Sequence, residues 1–348
     1  MTAFLPGVEL SRLFYAEAVR PLLGDLPHAA ARIGPGSDVL GFDTARSTDH
    51  DWGPRLELFV DDDTGELGPM LSESLPKRFR GWSTHFEPPG ARVRSMADTD
   101  GPVDHYVTIT SFPAWCRHTL GFDSSGHLTD LDWLGTPWQR FAELTGGAVF
   151  HDPDQELSRV RAKVRWYPPD LWRHVLASQW QRIGEEEAFP ARAAEFGDTR
   201  GAQVLTARLC REIARLFLLL SHRWPPYSKW LMAALPPEPI VWHLTSALRT
   251  DDPAGREDAL CTALELLAER QNEVGLAEEL PPTRREFFDR GYGVIGAGRF
   301  AEALREAITD PLLRARPLTG SIDQVSDNTA ILTSPARSRA VITAAGMS

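Results

Sequence analysis

Two carboxylates one residue apart, Asp49 and Asp51, follow the small-residue pair Gly36-Ser37 after an interval of eleven residues. Directly beyond them, Leu56, Leu58 and Val60 alternate with Glu57 and Phe59, the pattern of a mostly buried strand. Alternate strand residues face the same way, so acids at this spacing on a strand would project side by side. Carboxylates held that close repel. A divalent cation bound through oxygen relieves the repulsion, and Mg²⁺ suits the role where phosphates complete its shell. A Gly-Ser turn, in turn, offers backbone N–H groups and a hydroxyl to a phosphate chain. A strand, this turn and a second strand carrying the two acids would make a metal-nucleotide site.

A second group with chemical potential is Pro225-Pro226-Tyr227-Ser228-Lys229-Trp230, which follows a long apolar pattern of helical period. Lysine is a compact cation on a flexible stem and can swing onto a single phosphate oxygen. Lys229 is therefore the candidate for triphosphate contact, expected to point toward Ser37, with Tyr227 for the base or ribose. The plainer reading lays the Lys229 stem over Trp230 and asks nothing more of it.

The spacing G-S, eleven residues, D-x-D resembles the signature of the polymerase beta-like nucleotidyltransferase superfamily. The fuller string GSDVLGFDTARSTDHDWGPR and the later P-Y-x-K-W string resemble a narrower group, the bacterial DUF4037 proteins of unknown function. What the resemblance implies is a transfer of a nucleoside monophosphate from an NTP, ATP by preference, to an acceptor hydroxyl on a small molecule or a protein. Gly36 and Ser37 would contact the triphosphate, and Asp49 and Asp51 would hold two Mg²⁺ ions. A third acid is expected on a neighbouring strand, within Val103 to Thr110. Its expected place is occupied by Thr108. Asp104, on the same strand face but about 13 Å away at strand rise, is the candidate substitute. That departure makes a nucleotide-binding regulatory pseudoenzyme the alternative function. A purely structural use of the acids would pair them with Arg46 or Arg55.

The elements that must position these residues follow from period and length. A chain of 348 residues is long for one core, so two domains are expected. The class is α+β, with a nucleotidyltransferase-like mixed sheet and helices over 1–150. An α-helical bundle over 151–320 follows, and then a segment over 321–348 that returns to the first domain as an added strand before a mobile tail. The first helix is expected from Val8 to about Leu23 and a weaker one from His28 to Arg32. Further helices are expected at 72–79, from Phe112 to Gly121, and through Trp133 to Phe150, with the Asp61-Asp62-Asp63 run as a solvated turn. In the second half, helices are expected after Pro168-Pro169, from Gly201 to His222, and over 239–248, 256–272, 284–290 and 300–308. Arg208, Arg211 and Arg215 are expected to face solvent.

The net charge of −11, from 37 basic and 48 acidic residues, disfavours long nucleic acid as a partner, because little affinity would come from counterion release. Cys116, Cys210 and Cys261 are far apart and odd in number, so they read as core thiols of a reducing compartment. With no signal-like start and no long apolar run, a cytoplasmic protein without a membrane span is expected.

Overall fold

The computed structural model describes residues 4–61, 65–124 and 126–347, so residues 62–64 of the expected acidic turn lie outside the described residues. The chain divides into two compact units. The first comprises the described residues up to His127 together with Arg140–Arg165, and the second comprises Leu128–Gln139 and the described residues from Trp166 onward. The exchange of the 128–139 stretch between units was not expected from the sequence.

In the first unit, helix α1 (Gly7–Phe14) runs on through a π-turn, Tyr15–Val19, into Arg20–Leu23. Leu10, Phe14 and Val19 recur on one face and are fully buried, the apolar stripe of an amphipathic helix. Its start is held by Asp43, whose Oδ2 accepts the Gly7 N–H at 2.7 Å and the Trp52 indole N–H at 2.9 Å. A carboxylate there also meets the positive end of the helix dipole.

Four strands form the main sheet: β1 (Ala29–Arg32), β2 (Arg55–Phe59), β3 (Tyr106–Thr110) and β4 (Ala148–His151). Their order is β3-β2-β1-β4. β1 is antiparallel to both β2 and β4, whereas β2 and β3 are parallel with Arg55 opposite Tyr106 and Glu57 opposite Thr108. The sheet is thus mixed, as expected.

Within residues 28–32, expected as a weak helix, Ala29–Arg32 is instead one of the two inner strands of this sheet. Alanine favours helix, but the Gly34-Pro35-Gly36 stretch leaves too few residues to nucleate one, and sheet pairing on both edges decides. β4 was hidden in the same way inside an apparently helical run. That run divides into Asp130–Leu134 and Trp138–Thr145 before Gly147, at φ 60, turns the chain into the strand. Helices α2 (Leu67–Ser74) and α3 (Phe112–Thr119) complete the frame, the latter capped by the Ser111 hydroxyl accepting the Ala114 N–H. Leu56, Leu58 and Val60 form one core with Leu10, Phe14, Val19, Leu71 and Val107. Each buried leucine or valine contributes roughly 1.5–3 kcal/mol.

The second unit is helical, as expected: α4 (Pro169–Glu186), α5 (Thr199–Leu220), α6 (Pro239–Arg249), α7 (Pro253–Val274) and α8 (Gly298–Glu306) are its longest helices. α4 packs on α5 and α8, and α6 on α7. Asp198 and Asp252 accept the Gly201 and Gly255 N–H groups at 2.8 Å and so cap α5 and α7, a contribution of about 1 kcal/mol each.

Four expectations are corrected here. Arg215 is buried rather than solvent-facing: its Nη1 donates to the Asp323 carbonyl at 3.1 Å and its guanidinium lies 5.6 Å from the Trp138 ring centre. Residues 284–290 hold no helix; Arg285–Glu286 pairs antiparallel with Gly293–Val294. The segment after 320, expected to add a strand to the first unit, forms short helices at Ile322–Val325 and Thr329–Leu332 in the second. The tail is also helical, over Pro335–Ile342. The three thiols are buried, and burial pushes each up to about 12, in keeping with core positions.

Candidate functional site

β1 ends at Arg32 and gives way to Ile33-Gly34-Pro35-Gly36-Ser37, so the Gly-Ser pair follows the first strand. Beneath this turn lies a cluster of charges absent from the sequence reading. Arg32, fully buried, grips Asp38 with two hydrogen bonds, Nε to Oδ2 at 2.7 Å and Nη2 to Oδ1 at 2.9 Å. Its Nη1 donates to the Ile33 carbonyl at 2.6 Å and stands 3.4 Å from Glu57 Oε1. The other Glu57 oxygen accepts the Ile33 N–H at 3.0 Å.

The glycine of the pair is dictated by this ion pair and by its own positive φ of 156. A Cβ at Gly36 would stand 2.1 Å from Asp38 Oδ1 and 2.3 Å from Arg32 Nη2. The turn therefore needs glycine for its own floor, whatever it binds. The N–H groups of Gly36 and Ser37 and the Ser37 hydroxyl donate to nothing among the described residues, while the Ser37 carbonyl accepts from Phe42 at 2.8 Å.

Arg55, at the start of β2, ties the turn to the acidic segment. Its Nη2 donates to the Pro35 carbonyl at 3.0 Å, its Nη1 donates to the Asp51 carbonyl, and its guanidinium lies 4.4 Å from the Tyr106 ring centre. Unlike Arg32, it makes no ion pair among the described residues. Burial and the neighbouring Arg32 charge lower its proton affinity, against the pull of Asp38 and Glu57. Burial also raises the Glu57 carboxyl, against the pull of Arg32 and Arg55. For Asp38, burial works the same way but is outweighed by Arg32 and Arg55, which hold it below the usual carboxylate range.

The two aspartates do not lie on a strand. Asp49 closes the short 3₁₀ turn Ala45–Asp49, and Asp51 sits in a left-handed bend at φ 46, before the Trp52-Gly53-Pro54 link into β2. Pro54 lacks an N–H for a strand ladder, so pairing begins only at Arg55. The side-by-side positions expected for Asp49 and Asp51 belong to Arg55 and Glu57.

Asp49 is exposed and turns its Oδ1 to His50, 3.0 Å from both the backbone nitrogen and Nδ1. Asp51 Oδ1 accepts the Tyr106 hydroxyl at 3.0 Å and the Arg94 N–H at 3.1 Å. In each carboxylate, Oδ2 accepts nothing among the described residues.

The expected third acid is also placed differently. Asp104 precedes β3 rather than lying on its face, and its Oδ1 stands 2.9 Å from Nη2 of the buried Arg94. Thr108, opposite Glu57, brings no carboxylate. Among the described residues, no group of three or more histidine, cysteine, aspartate or glutamate side chains could hold a metal ion. Asp51 has one oxygen committed to two donors, Asp49 is turned to His50 and Asp104 to Arg94, so these three do not fit a two-metal centre built by the chain alone.

In the second unit, Tyr227 and Lys229 occupy an exposed turn. The Tyr227 N–H donates to Gln139 Oε1 at 3.0 Å, and Lys229 Nζ lies 4.6 Å from the Trp230 ring centre. That cation–π contact is the arrangement of the plainer reading. Arg32, Asp38, Arg55, Glu57, Arg94 and Tyr106 were missed as a group. A signal existed for two of them, since Arg55 and Glu57 are charges on alternate positions of an otherwise apolar strand.

The chain is thus an α+β protein in which a small mixed sheet carries a Gly-Ser turn over buried arginines and carboxylates, accompanied by a helical unit. Residues 133–231 match the model of a family described as "Domain of unknown function (DUF4037)". The matched stretch contains Tyr227 and Lys229 but none of Gly36, Ser37, Asp49, Asp51 and Asp104. No curated protein and no solved structure matches the chain. Among the described residues, no helix is long and apolar enough to cross a membrane.

Proposed function

We propose that the first unit is a nucleotide-binding module that receives the phosphate chain of an NTP on the Gly36-Ser37 turn. The observation that carries the reading is the set of three donors at one turn, the Gly36 and Ser37 N–H groups and the Ser37 hydroxyl, that have no acceptors among the described residues. Consecutive amides with a hydroxyl are suited to phosphate oxygens. On this reading the protein acts by binding and reporting a nucleotide, as a regulatory pseudoenzyme would.

A second reading, Mg²⁺-dependent transfer of a nucleoside monophosphate to an acceptor hydroxyl, is favoured by the uncommitted Oδ2 atoms of Asp49 and Asp51. Those oxygens suit a cation that arrives already bound to the phosphates. Against it stands that Asp104, the acid expected to accept the acceptor's proton, is tied to Arg94.

Titration calorimetry of the full chain with ATP, GTP, CTP and UTP, each with Mg²⁺ and with EDTA, tests the first reading. Binding of at least one NTP is expected, weakened about 3- to 10-fold by Ser37→Ala, the loss of one modest hydrogen bond. If no NTP binds under either condition, the module reading is wrong. Incubating NTPs labelled at the α-phosphate with candidate small-molecule and protein acceptors then separates the two readings, since only transfer moves the label.

A further inference from the structure

The Pro35-Gly36 peptide sits between two cations and an open face. Its carbonyl accepts from Arg32 Nη2 at 2.8 Å and from Arg55 Nη2 at 3.0 Å. This bond is not among the cis peptides of the described chain, and in a trans peptide the N–H points opposite to the C=O. The Gly36 N–H therefore faces away from the guanidiniums, and two cationic donors on the carbonyl strengthen it as a donor in turn.

Beneath that peptide two guanidiniums and two carboxylates balance in number, but the carboxylates are shared unequally. Arg32 has Asp38 and Glu57 beside it, but Arg55, equally buried, spends its hydrogen bonds on two neutral carbonyls and the face of Tyr106. A buried ion is costly unless an opposite charge accompanies it. Carbonyl dipoles satisfy the guanidinium's donors without neutralising it. Asp38 and Glu57 act on Arg55 only from beyond ion-pair distance, so it retains attraction for a further anion, and the donors of Gly36 and Ser37, without acceptors among the described residues, mark where that anion would sit.

We infer that Arg55 is the fixed cation of the Gly-Ser turn, and that together they form a metal-independent site for a polyphosphate anion. The inference rests on the phosphate-binding reading of this turn and deepens it: recognition begins with the phosphates and a buried arginine, before any divalent cation.

The test is titration of the full chain with pyrophosphate and with tripolyphosphate in EDTA, for wild type, Arg55→Met and Arg55→Lys, with thermal unfolding recorded for each mixture. Wild type should bind and its melting temperature should rise with pyrophosphate. Arg55→Met should lose at least 10-fold in affinity together with that rise, and Arg55→Lys should recover part of both. A purely structural Arg55 would lower the melting temperature equally with and without pyrophosphate, and that result overturns the inference.

Should Arg55→Met fail to fold, backbone and guanidinium NMR of wild type decides. The Gly36 and Ser37 amides and the Arg55 side chain must shift together on one binding curve, and an unmoved Arg55 overturns the proposal. Binding of Mg·ATP without binding of metal-free pyrophosphate removes the inference and leaves the nucleotide reading standing. Pyrophosphate binding through Arg55 with ATP no tighter than tripolyphosphate does the reverse.

Discussion

Gly36→Ala separates two explanations of the glycine beside Ser37. If it is there to let a ligand approach, alanine should spare the folded chain and harm binding alone. The geometry argues otherwise. The added Cβ would lie 2.1 Å from Asp38 Oδ1 and 2.3 Å from Arg32 Nη2, so the ion pair must open by more than an ångström. Both partners are buried, with side-chain exposures of 0% and 2%, and water cannot take over their charges.

Removing one partner of such a pair costs about 3–5 kcal/mol. Displacement without removal should fall at the low end, about 3 kcal/mol. For a unit of this size that is a fall of about 6–12 °C in melting temperature. Calorimetric and urea unfolding of the ligand-free chain measure it, read on the transition belonging to the first unit because two units need not unfold together. In an Arg32→Ala/Asp38→Ala background the same glycine substitution should cost less, since the clash partners are gone and only the strain of a Cβ at φ 156 remains, and the difference is the coupling. A loss under about 0.5 kcal/mol in the natural background would refute the argument.

Asp51→Ala should destabilise by about 1–2 kcal/mol, because the Tyr106 hydroxyl and the Arg94 N–H lose their acceptor. The exposed Asp49→Ala should stay within about 0.5 kcal/mol, and equal urea midpoints for the two variants would contradict this assignment. Lys229→Ala should cost at most about 1 kcal/mol of stability, the worth of an exposed cation–π contact. A several-fold weaker NTP affinity on calorimetry would give Lys229 a phosphate role, and an unchanged affinity would leave it to Trp230 alone. His174 is fully buried with neither ring nitrogen bonded among the described residues, and burial, reinforced by Arg316, pushes it down to about 4 from 6.5. The unfolded chain then takes up a proton before the folded one does, so stability falls as pH drops from 6.5 toward 4, by about 3 kcal/mol over the window. Asp323, pushed by burial up to about 6 from 3.8, acts oppositely, its contribution being lost as pH rises through 6. The comparison is therefore between chains: His174→Leu should remove the acid loss that wild type shows, and parallel stability–pH curves would count against it.

The parts of the fold that were legible were those written in period and length. Leu56, Leu58 and Val60 announced β2, and the long apolar repeats between Thr199 and Leu220 announced α5. The short strands were not legible: Ala29–Arg32 is largely alanine, which favours helix, Ala148–His151 lies at the end of an apolar run of helical period, and pairing with neighbouring strands decides both. The Gly-Ser turn was placed correctly after the first strand, but the purpose of its glycine was not visible, since Arg32 and Asp38 lie on either side of it and carry no spacing signature. Asp49 and Asp51 drew attention because an acidic pair is conspicuous. Trp52-Gly53-Pro54 then delays the strand, and the positions that face the turn pass to Arg55 and Glu57.

That delay changes what the sheet can do. A strand presenting acids at alternate positions would concentrate negative charge and call for cations. Here the same positions carry a buried cation, Arg55, and a carboxylate, Glu57, whose proton affinity burial has raised and whose oxygens are engaged with Ile33 and Arg32. A carboxylate that holds the turn in place is poorly suited to surrender that bond to a metal or to a substrate proton. If Glu57 does keep the turn closed, Glu57→Gln should retain its shape, because the amide oxygen can still accept the Ile33 N–H, while shifting the local charge by one positive unit. Metal-free polyphosphate should then bind to Glu57→Gln at least as tightly as to wild type, which a calorimetric titration in EDTA would register. Weaker binding would mean that the carboxylate contributes more than charge and position, and would return Glu57 to consideration as a ligand in its own right.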